Sequence, residues 1–366
     1  MRYILWLIGG FGLFTILRIL TQFHLFDFAI YYQSVQDLSR GMSMYYDTTI
    51  AMKYPMTAMI LLAPIGWLPY VIAEKLWTII SVFSLGLGLW LLSKLLPEMT
   101  KRQWLYFGAV IILAFPYKFT LGMGQINLMI LVGFIASIYA YYHDQEVWAG
   151  ILIALTAWLK ITPLVLLLFF WRKGKYKTIM AAGITYLLGW MIAGQIWGWE
   201  LVRQFFIEVI PSLSTIGNDV YYNQALTGVI ARVGINGWVG AVLNYGTLII
   251  MLGVSYFSIP KTKISASQEI IGFGLLIISM LMGAGLAWQH YFVWLIIPFV
   301  GLVARIRETN KISTWIISGI VMAYLLVSLN IKNPSLYTGW STIFLSHVTF
   351  GSLLLWYLSL KIIKQQ

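Results

Sequence analysis

Apolar runs recur along the chain near 3–21, 71–93, 103–117, 126–142, 147–159, 162–171, 176–196, 238–258, 268–287, 291–305, 312–330 and 340–361. A helix needs about 20 apolar residues to cross a bilayer, with some latitude for tilt. The pattern therefore predicts an all-α integral membrane protein with about 11–12 transmembrane helices. The pair 147–159 and 162–171 is short and is interrupted by Lys160 and Pro163, which reads as a helical hairpin or a kinked helix. The stretch YPMTAMILLAPIGWLP (54–69) is apolar but bounded by prolines and too short to cross, so it is expected to be re-entrant or interfacial. If it crosses, every later loop changes side. Between the first run and this stretch, Phe28, Tyr31, Tyr32, Val35 and Leu38 share one helical stripe, with Gln33, Gln36 and Asp37 opposite. That arrangement suits a helix lying in the membrane interface. Residues 199–210 (WELVRQFFIEVI) predict a second one.

Composition sharpens this picture. The 366 residues are 60% hydrophobic and only 10% charged, which excludes an ordinary soluble domain. No internal repeat or low-complexity linker divides the chain. It reads as one polytopic membrane domain over 1–366, with a first outer loop at 22–70 and a second at 197–237. The net charge of +12 does not imply nucleic acid, because the basic clusters WRKGKYK, KTK, RIRETNK and KIIK fall in short loops on one side. The positive-inside rule then puts the N- and C-termini in the cytoplasm. Residues 3–20 could imitate a signal peptide, but no small-residue cleavage site follows, so the segment reads as a retained helix. Cysteine is absent, which removes disulfides and thiol metal sites.

With that orientation, the awkward polar residues gather on the outer side. Asp27, Asp37 and Asp47 lie there, followed by Lys53-Tyr54-Pro55. Gln125 and Asn127 follow in GMGQIN, Lys160 in LKITP, Asn223, Gln224 and Arg232 in YYNQALTGVIAR, and Gln289 and His290 in WQHYF. Polar groups near a bilayer are costly unless paired or lining a wet cavity, so their convergence suggests a shared external site. Activated sugar nucleotides are scarce outside the cytoplasm, so a transferase facing outward needs its sugar delivered on a lipid. Such a reaction needs a carboxylate to take the acceptor's proton. It also needs cations or donors for the departing phosphate and an apolar groove for the lipid. Asp27 could serve the first need. Lys160, Arg232, Lys53 and His290 are candidates for the second, and the aromatic-rich 54–69 segment for the third.

The order of these motifs resembles glycosyltransferase family 87, which includes polyprenol-phosphate-mannose-dependent α-1,2-mannosyltransferases. The matching residues are D-x3-Y and G-x3-Y (Asp27, Tyr31, Gly41, Tyr45) and the YP of the first loop (Tyr54, Pro55, then Pro64). GQ-x-N (Gly124, Gln125, Asn127), the stretch from Ala149 to Pro163, NQ followed by Arg (Asn223, Gln224, Arg232) and W-x-H (Trp288, His290) complete the set. The likeness covers roughly residues 20–300. Met56 stands where the family often has a second proline, and Ala225 where it often has serine; either change bears on the acceptor groove or the donor sugar. The resemblance implies a type C glycosyltransferase fold with the catalytic carboxylate in the first outer loop. It also implies an inverting single displacement from a polyprenyl-phosphate sugar to a hydroxyl of a lipid- or glycan-linked acceptor, mannose being the leading sugar. On that pattern Asp27 is the base, Lys160 holds the phosphate with Arg232 or His290, and Tyr31, Lys53, Tyr54, Gln125, Asn127, Asn223 and Gln224 complete the substrate contacts.

Plainer roles stand beside these. Asp27 could cap the helix it precedes, with Phe26 and Tyr31 as a staple. Lys160 could snorkel to the interface, and Lys53 and Lys118 could be interfacial lysines. Gln125 and Asn127 could cap a helix starting near 126. Arg232 could steady the second loop through Asp219 or Glu208, and His290 could be structural. Asp37 and Asp47 read as solvated charges, though either could replace Asp27 as base. His24, His143 and His347 form no pair with metal-ligand spacing, so no protein-defined metal site or other cofactor is expected. The expected partners are membrane lipids, the lipid-linked donor and a glycan or glycolipid acceptor. Competing functions are a polysaccharide polymerase or ligase, and a lipid or glycan transporter or flippase. A transporter predicts two related halves with interrupted helices, and only one interruption, at 160–163, is visible.

Overall fold

A computed structural model of the protein describes residues 2–21, 24–45, 52–213, 220–235, 237–309, 313–331 and 339–364. It is 82% helical, with no strand among the described residues. The helices are α1 (Arg2–Thr21), α2 (Phe26–Ser39), α3 (Thr57–Leu62), α4 (Tyr70–Leu95), α5 (Lys101–Leu113), α6 (Phe115–Met123), α7 (Asn127–Tyr142), α8 (Glu146–Leu159) and α9 (Leu167–Arg172). They continue with α10 (Tyr176–Trp197), α11 (Trp199–Gln204), α12 (Ile210–Ser212), α13 (Leu226–Arg232), α14 (Gly237–Ser258), α15 (Ala266–Gly283), α16 (Ile296–Thr309), α17 (Thr314–Ser328) and α18 (His347–Ile363). Among the described residues, six stretches are long and apolar enough to cross a membrane alone, and the number rises to eight if each sharply bent helix pair is one crossing. Five apolar helices among them are shorter, Thr57–Trp67 included. α1 and α2 form one of the two bent pairs, 40° apart in direction.

The expected run 103–117 is not one helix. α5 starts on a capping box, in which Thr100 accepts from the Gln103 backbone and the Gln103 side chain accepts from Thr100. It stops at Leu113, and α6 leaves at 62°. Pro116 lacks the N–H that would continue the ladder, and its ring crowds the preceding turn.

The chain forms two compact units. Unit 1 comprises Met1–Trp90, Phe119–Leu164 and Lys177–Ile216. Here the Ser137 hydroxyl donates to the Ala149 carbonyl, joining α7 to α8, and Thr57 of α3 donates to the Trp158 carbonyl of α8. α10 is largely open on its apolar surface, as a lipid-facing helix is. Asp37 is not a solvated charge: it is buried in α2 and accepts a 2.7 Å bond from the Gln33 amide. Asp47 lies outside the described residues.

Unit 2 comprises Leu91–Lys118, Val165–Tyr176 and Gly217–Gln366. Its core is α15, whose spanning stretch is 94% buried. Ser279 of α15 shares a 2.9 Å bond with Ser255 of α14, and Trp356 of α18 donates to Ser255 at 2.8 Å. At one end of α15, Glu269 pairs with Lys173 at 2.7 Å, both side chains buried.

Candidate active site

Two glycine-terminated helices deliver the carboxylate and its partners within unit 1. α2 ends in a Schellman turn: Gly41 has φ 73°, the Gly41 N–H donates to Leu38 and the Met42 N–H to Asp37. The chain then turns back so that the Tyr45 hydroxyl reaches the Tyr54 carbonyl at 2.9 Å. α6 ends the same way at Gly124, with φ 71°, the Gly124 N–H donating to Leu121 and the Gln125 N–H to Thr120. A side chain at Gly124 would meet the Cβ atoms of Phe28 at 2.7 Å and Leu25 at 2.8 Å, so only glycine fits. The indole of Trp77 donates to the Gly124 carbonyl at 2.7 Å and fixes the turn. The motif GQ-x-N is thus a helix stop that throws Gln125 against the start of α2.

There the Gln125 amide donates to Asp27 Oδ2 at 2.6 Å. Its carbonyl accepts from the hydroxyls of Tyr31 at 3.1 Å and Tyr54 at 3.0 Å. The two phenols also touch each other, 3.1 Å apart. Asp27 is 8% exposed and Gln125 5%, so this network is almost dry while the carboxylate keeps a face open. Lys160 ends α8 in extended backbone, as the nearby Pro163 encourages. Its ammonium donates to Asn127 Oδ1 at 3.1 Å and lies 5.0 Å from the centre of the Tyr54 ring.

Asp27 lies on none of the six helices long and apolar enough to cross alone. Burial raises its carboxyl to about 6, while the Gln125 bond and the charges of Lys160 and Lys53 pull it down. The Lys53 ammonium is lowered by burial and raised by Asp27. A carboxylate so placed is ionised at neutral pH, yet basic enough to accept a proton from a polarised hydroxyl.

Asp27 does not cap α2. The N-cap is Leu25, which has no capping side chain. Glu74 of α4 acts one step earlier, taking the N–H groups of Leu25 and, at 3.0 Å, of His24, the two residues that lead into the helix. Sequence reasoning missed Glu74 and Trp77; the one available signal was an acidic residue near the start of an apolar run. Gln125 and Asn127 do not cap α7 either, whose N-cap is Ile126.

Unit 2 assembles the later motifs. Asn223 forms an antiparallel bridge with Trp288. Its side-chain carbonyl accepts the N–H of Ala287 at 3.1 Å and of Ala225 at 3.2 Å. The Gln224 N–H donates to Ala287 and the Gln289 N–H to Tyr222. The Gln224 amide donates to the carbonyls of Tyr221 at 2.6 Å and Leu345 at 2.7 Å. NQ and W-x-H are therefore one structural clasp, with His290 buried just after it, 5.8 Å ring to ring from Trp288. Arg232 donates to the carbonyls of Val220 and Asn223 and to the Ser346 hydroxyl. It steadies the second loop through backbone; of the two acids suggested by sequence, Asp219 lies outside the described residues and Glu208 accepts from the Gln204 amide at 3.1 Å. No group of three metal-ligating side chains occurs among the described residues.

The chain resembles two mycobacterial proteins of related name. It is 24% identical over 264 residues to a polyprenol-phosphate-mannose-dependent alpha-(1-2)-phosphatidylinositol pentamannoside mannosyltransferase of Mycolicibacterium smegmatis, covering 68% of this chain and 60% of the relative. It is 22% identical over 294 residues to a polyprenol-phosphate-mannose-dependent alpha-(1-2)-phosphatidylinositol mannoside mannosyltransferase of Mycobacterium tuberculosis, covering 74% of this chain and 66% of the relative. The chain thus spans about 60 to 66% of the length of these curated relatives. No solved structure matches it. The family model for glycosyltransferase family 87 matches residues 53–282, a span that holds Lys53, Tyr54, Gln125, Asn127, Lys160, Asn223, Gln224 and Arg232 and stops short of Asp27 and His290 at either side. With more than half its length in that match, the chain belongs to glycosyltransferase family 87.

Proposed function

We propose that this protein is a membrane mannosyltransferase that moves mannose from a polyprenyl-phosphate donor to a hydroxyl of a glycolipid or glycan acceptor on the non-cytoplasmic side. The donor and the glycolipid acceptor are those named for the mycobacterial relatives. The outward-facing site and cytoplasmic termini come from the distribution of lysine and arginine. The observation that carries the reading is the buried Asp27 carboxylate, gripped through one oxygen by Gln125 with Lys53 and Lys160 close enough to act on its charge.

Asp27 Oδ1 forms no hydrogen bond with a described residue and is the atom assigned to take the acceptor proton. As the O–H bond breaks, the acceptor oxygen bonds to the anomeric carbon. The bond from that carbon to the phosphate oxygen breaks, and polyprenyl phosphate leaves with the electron pair. Attack opposite the leaving group inverts the anomeric centre. Lys160, with Lys53, balances the charge gathering on the phosphate. Within unit 2, Arg232 has its donors committed to the loop it braces.

The test reconstitutes the protein with labelled polyprenyl-phosphate mannose and a phosphatidylinositol mannoside, and identifies product by mass spectrometry. Wild type is expected to form a new mannosyl bond and Asp27→Asn to form none while melting normally. Normal turnover by the variant ends the base assignment. Label crossing vesicles with no covalent product would make the chain a transporter and end the enzymatic reading.

A further inference from the structure

The geometry points to Glu74 as a positioning residue that fixes the start of α2, and with it Asp27, by capping from another helix; its catalytic consequence rests on the function proposed above. α2 begins on Leu25, whose side chain offers no acceptor. No Ser, Thr, Asp or Asn stands at the N-cap, so the entry into α2 is held instead through the N–H of the N-cap residue itself and of the residue before it. Glu74 Oε1 accepts the N–H of both His24 and Leu25 and also the Tyr70 hydroxyl at 3.0 Å.

Three further features make this more than a surface contact. Glu74 is 4% exposed, so its carboxylate has left water for these bonds. His24 has φ 86°, a left-handed conformation uncommon for a residue with a side chain, and it occurs at the bonded N–H. The Tyr70 ring packs against Phe28 at 5.8 Å and Tyr32 at 5.2 Å, centre to centre, so the Tyr70–Glu74 turn of α4 is a seat for the first turns of α2. Asp27 sits two residues beyond Leu25. The backbone just before it is held by Glu74 and its carboxylate by Gln125. Loss of the first restraint lets the base drift by a fraction of an ångström, and reaction rates fall steeply with such misplacement.

The experiment compares wild type, Glu74→Ala, Glu74→Gln and Asp27→Asn in one reconstituted system. It measures transfer from polyprenyl-phosphate mannose, donor KM, thermal melting and amide deuterium exchange at residues 24–25. Glu74→Ala is expected to lose about tenfold to a hundredfold in kcat, with donor KM within about twofold because the phosphate cations are untouched, and with fast exchange at 24–25. Glu74→Gln retains an acceptor oxygen and is expected to recover most of the rate and the slow exchange. Unchanged kcat in Glu74→Ala overturns the inference. So does a parallel fall of kcat, donor affinity and melting temperature in both Glu74 variants, which is what general unfolding produces. If Asp27→Asn turns over normally, the base assignment fails on its own arm. If wild type transfers nothing, the exchange measurement alone decides: slow exchange that Glu74→Ala abolishes upholds the cap, and fast exchange in wild type overturns it.

Discussion

Replacing Gln125 by leucine removes the one side-chain bond that the described residues make to Asp27 and keeps roughly the same volume. A hydrogen bond to a charged group contributes about 1.5–3 kcal/mol. One pKa unit corresponds to about 1.4 kcal/mol, so losing the bond raises the Asp27 carboxyl by about 1–2 units. The direction follows from which form is favoured. The amide donates to the ionised oxygen, so its removal disfavours the anion. Starting from about 6, the variant titrates at roughly 7–8. If the carboxylate is the base, kcat/KM falls as pH drops through these values. The acid limb of the profile then moves from about 6 in wild type to roughly 7–8 in Gln125→Leu. At pH 7 the variant is slower, and it regains rate as pH rises through the shifted limb for as long as Lys53, whose ammonium burial holds below its ordinary range, stays charged. The assay is initial transfer rate against pH at limiting donor, with melting temperature followed alongside. Tyr31 and Tyr54 lose an acceptor but keep each other, so a stability loss of about 1–3 kcal/mol is expected. An unmoved limb, or one displaced to lower pH, refutes the claim that Gln125 sets the basicity of Asp27.

Two other outcomes follow from the same geometry. Lys160→Met removes the cation assigned to the phosphate, so donor KM is expected to rise about tenfold to a hundredfold, a charged hydrogen bond's worth; unchanged affinity for polyprenyl phosphate by isothermal titration would strip Lys160 of that role. In unit 2, Lys173→Met leaves Glu269 as a lone buried charge and is expected to cost about 3–5 kcal/mol, whereas Lys173→Met combined with Glu269→Leu recovers most of it. Equal melting temperatures for single and double variants would show that the pair does not act as a unit.

The spans were readable because hydropathy is a property of each residue in turn. Expected runs such as 126–142, 176–196 and 238–258 differ from α7, α10 and α14 by a residue or so. The interruption after α8 was readable too, since Pro163 acts locally. The bend between α5 and α6 went unread because the run 103–117 stays apolar through Pro116, and a hydropathy window does not register a missing N–H. Partnerships across the chain left no local trace. Gln125 meets Asp27 across 98 positions, and Glu74 meets Leu25 across 49. The family pattern supplied Asn223, Gln224 and Trp288 as separate landmarks, but their joining into one clasp depends on backbone pairing that side-chain identity does not encode. Asp37 read as solvated because charge alone favours water, yet it is buried in unit 1 with Gln33, one turn earlier, donating to one of its oxygens.

Gln125 also explains why several residues chosen as sugar contacts do something else first. A primary amide has a donor end and an acceptor end that can exchange by a half-turn. An ionised carboxylate can only accept, so Asp27 draws the N–H end toward itself. The other end is then the carbonyl, and the hydroxyls of Tyr31 and Tyr54, which can donate or accept, converge on it as donors. With the amide turned over, its carbonyl would face the carboxylate, which is repulsive unless Asp27 is protonated. The tyrosines therefore support the amide orientation that favours the ionised form of Asp27 without touching it. Burial works in the opposite direction by penalising the charge. Their balance, not either influence alone, leaves a base that is ionised near neutral pH and still able to accept a proton. A sequence motif that places Asp27, Tyr31, Tyr54 and Gln125 in order thus encodes both a position and a protonation state, and the second depends on which way one amide faces.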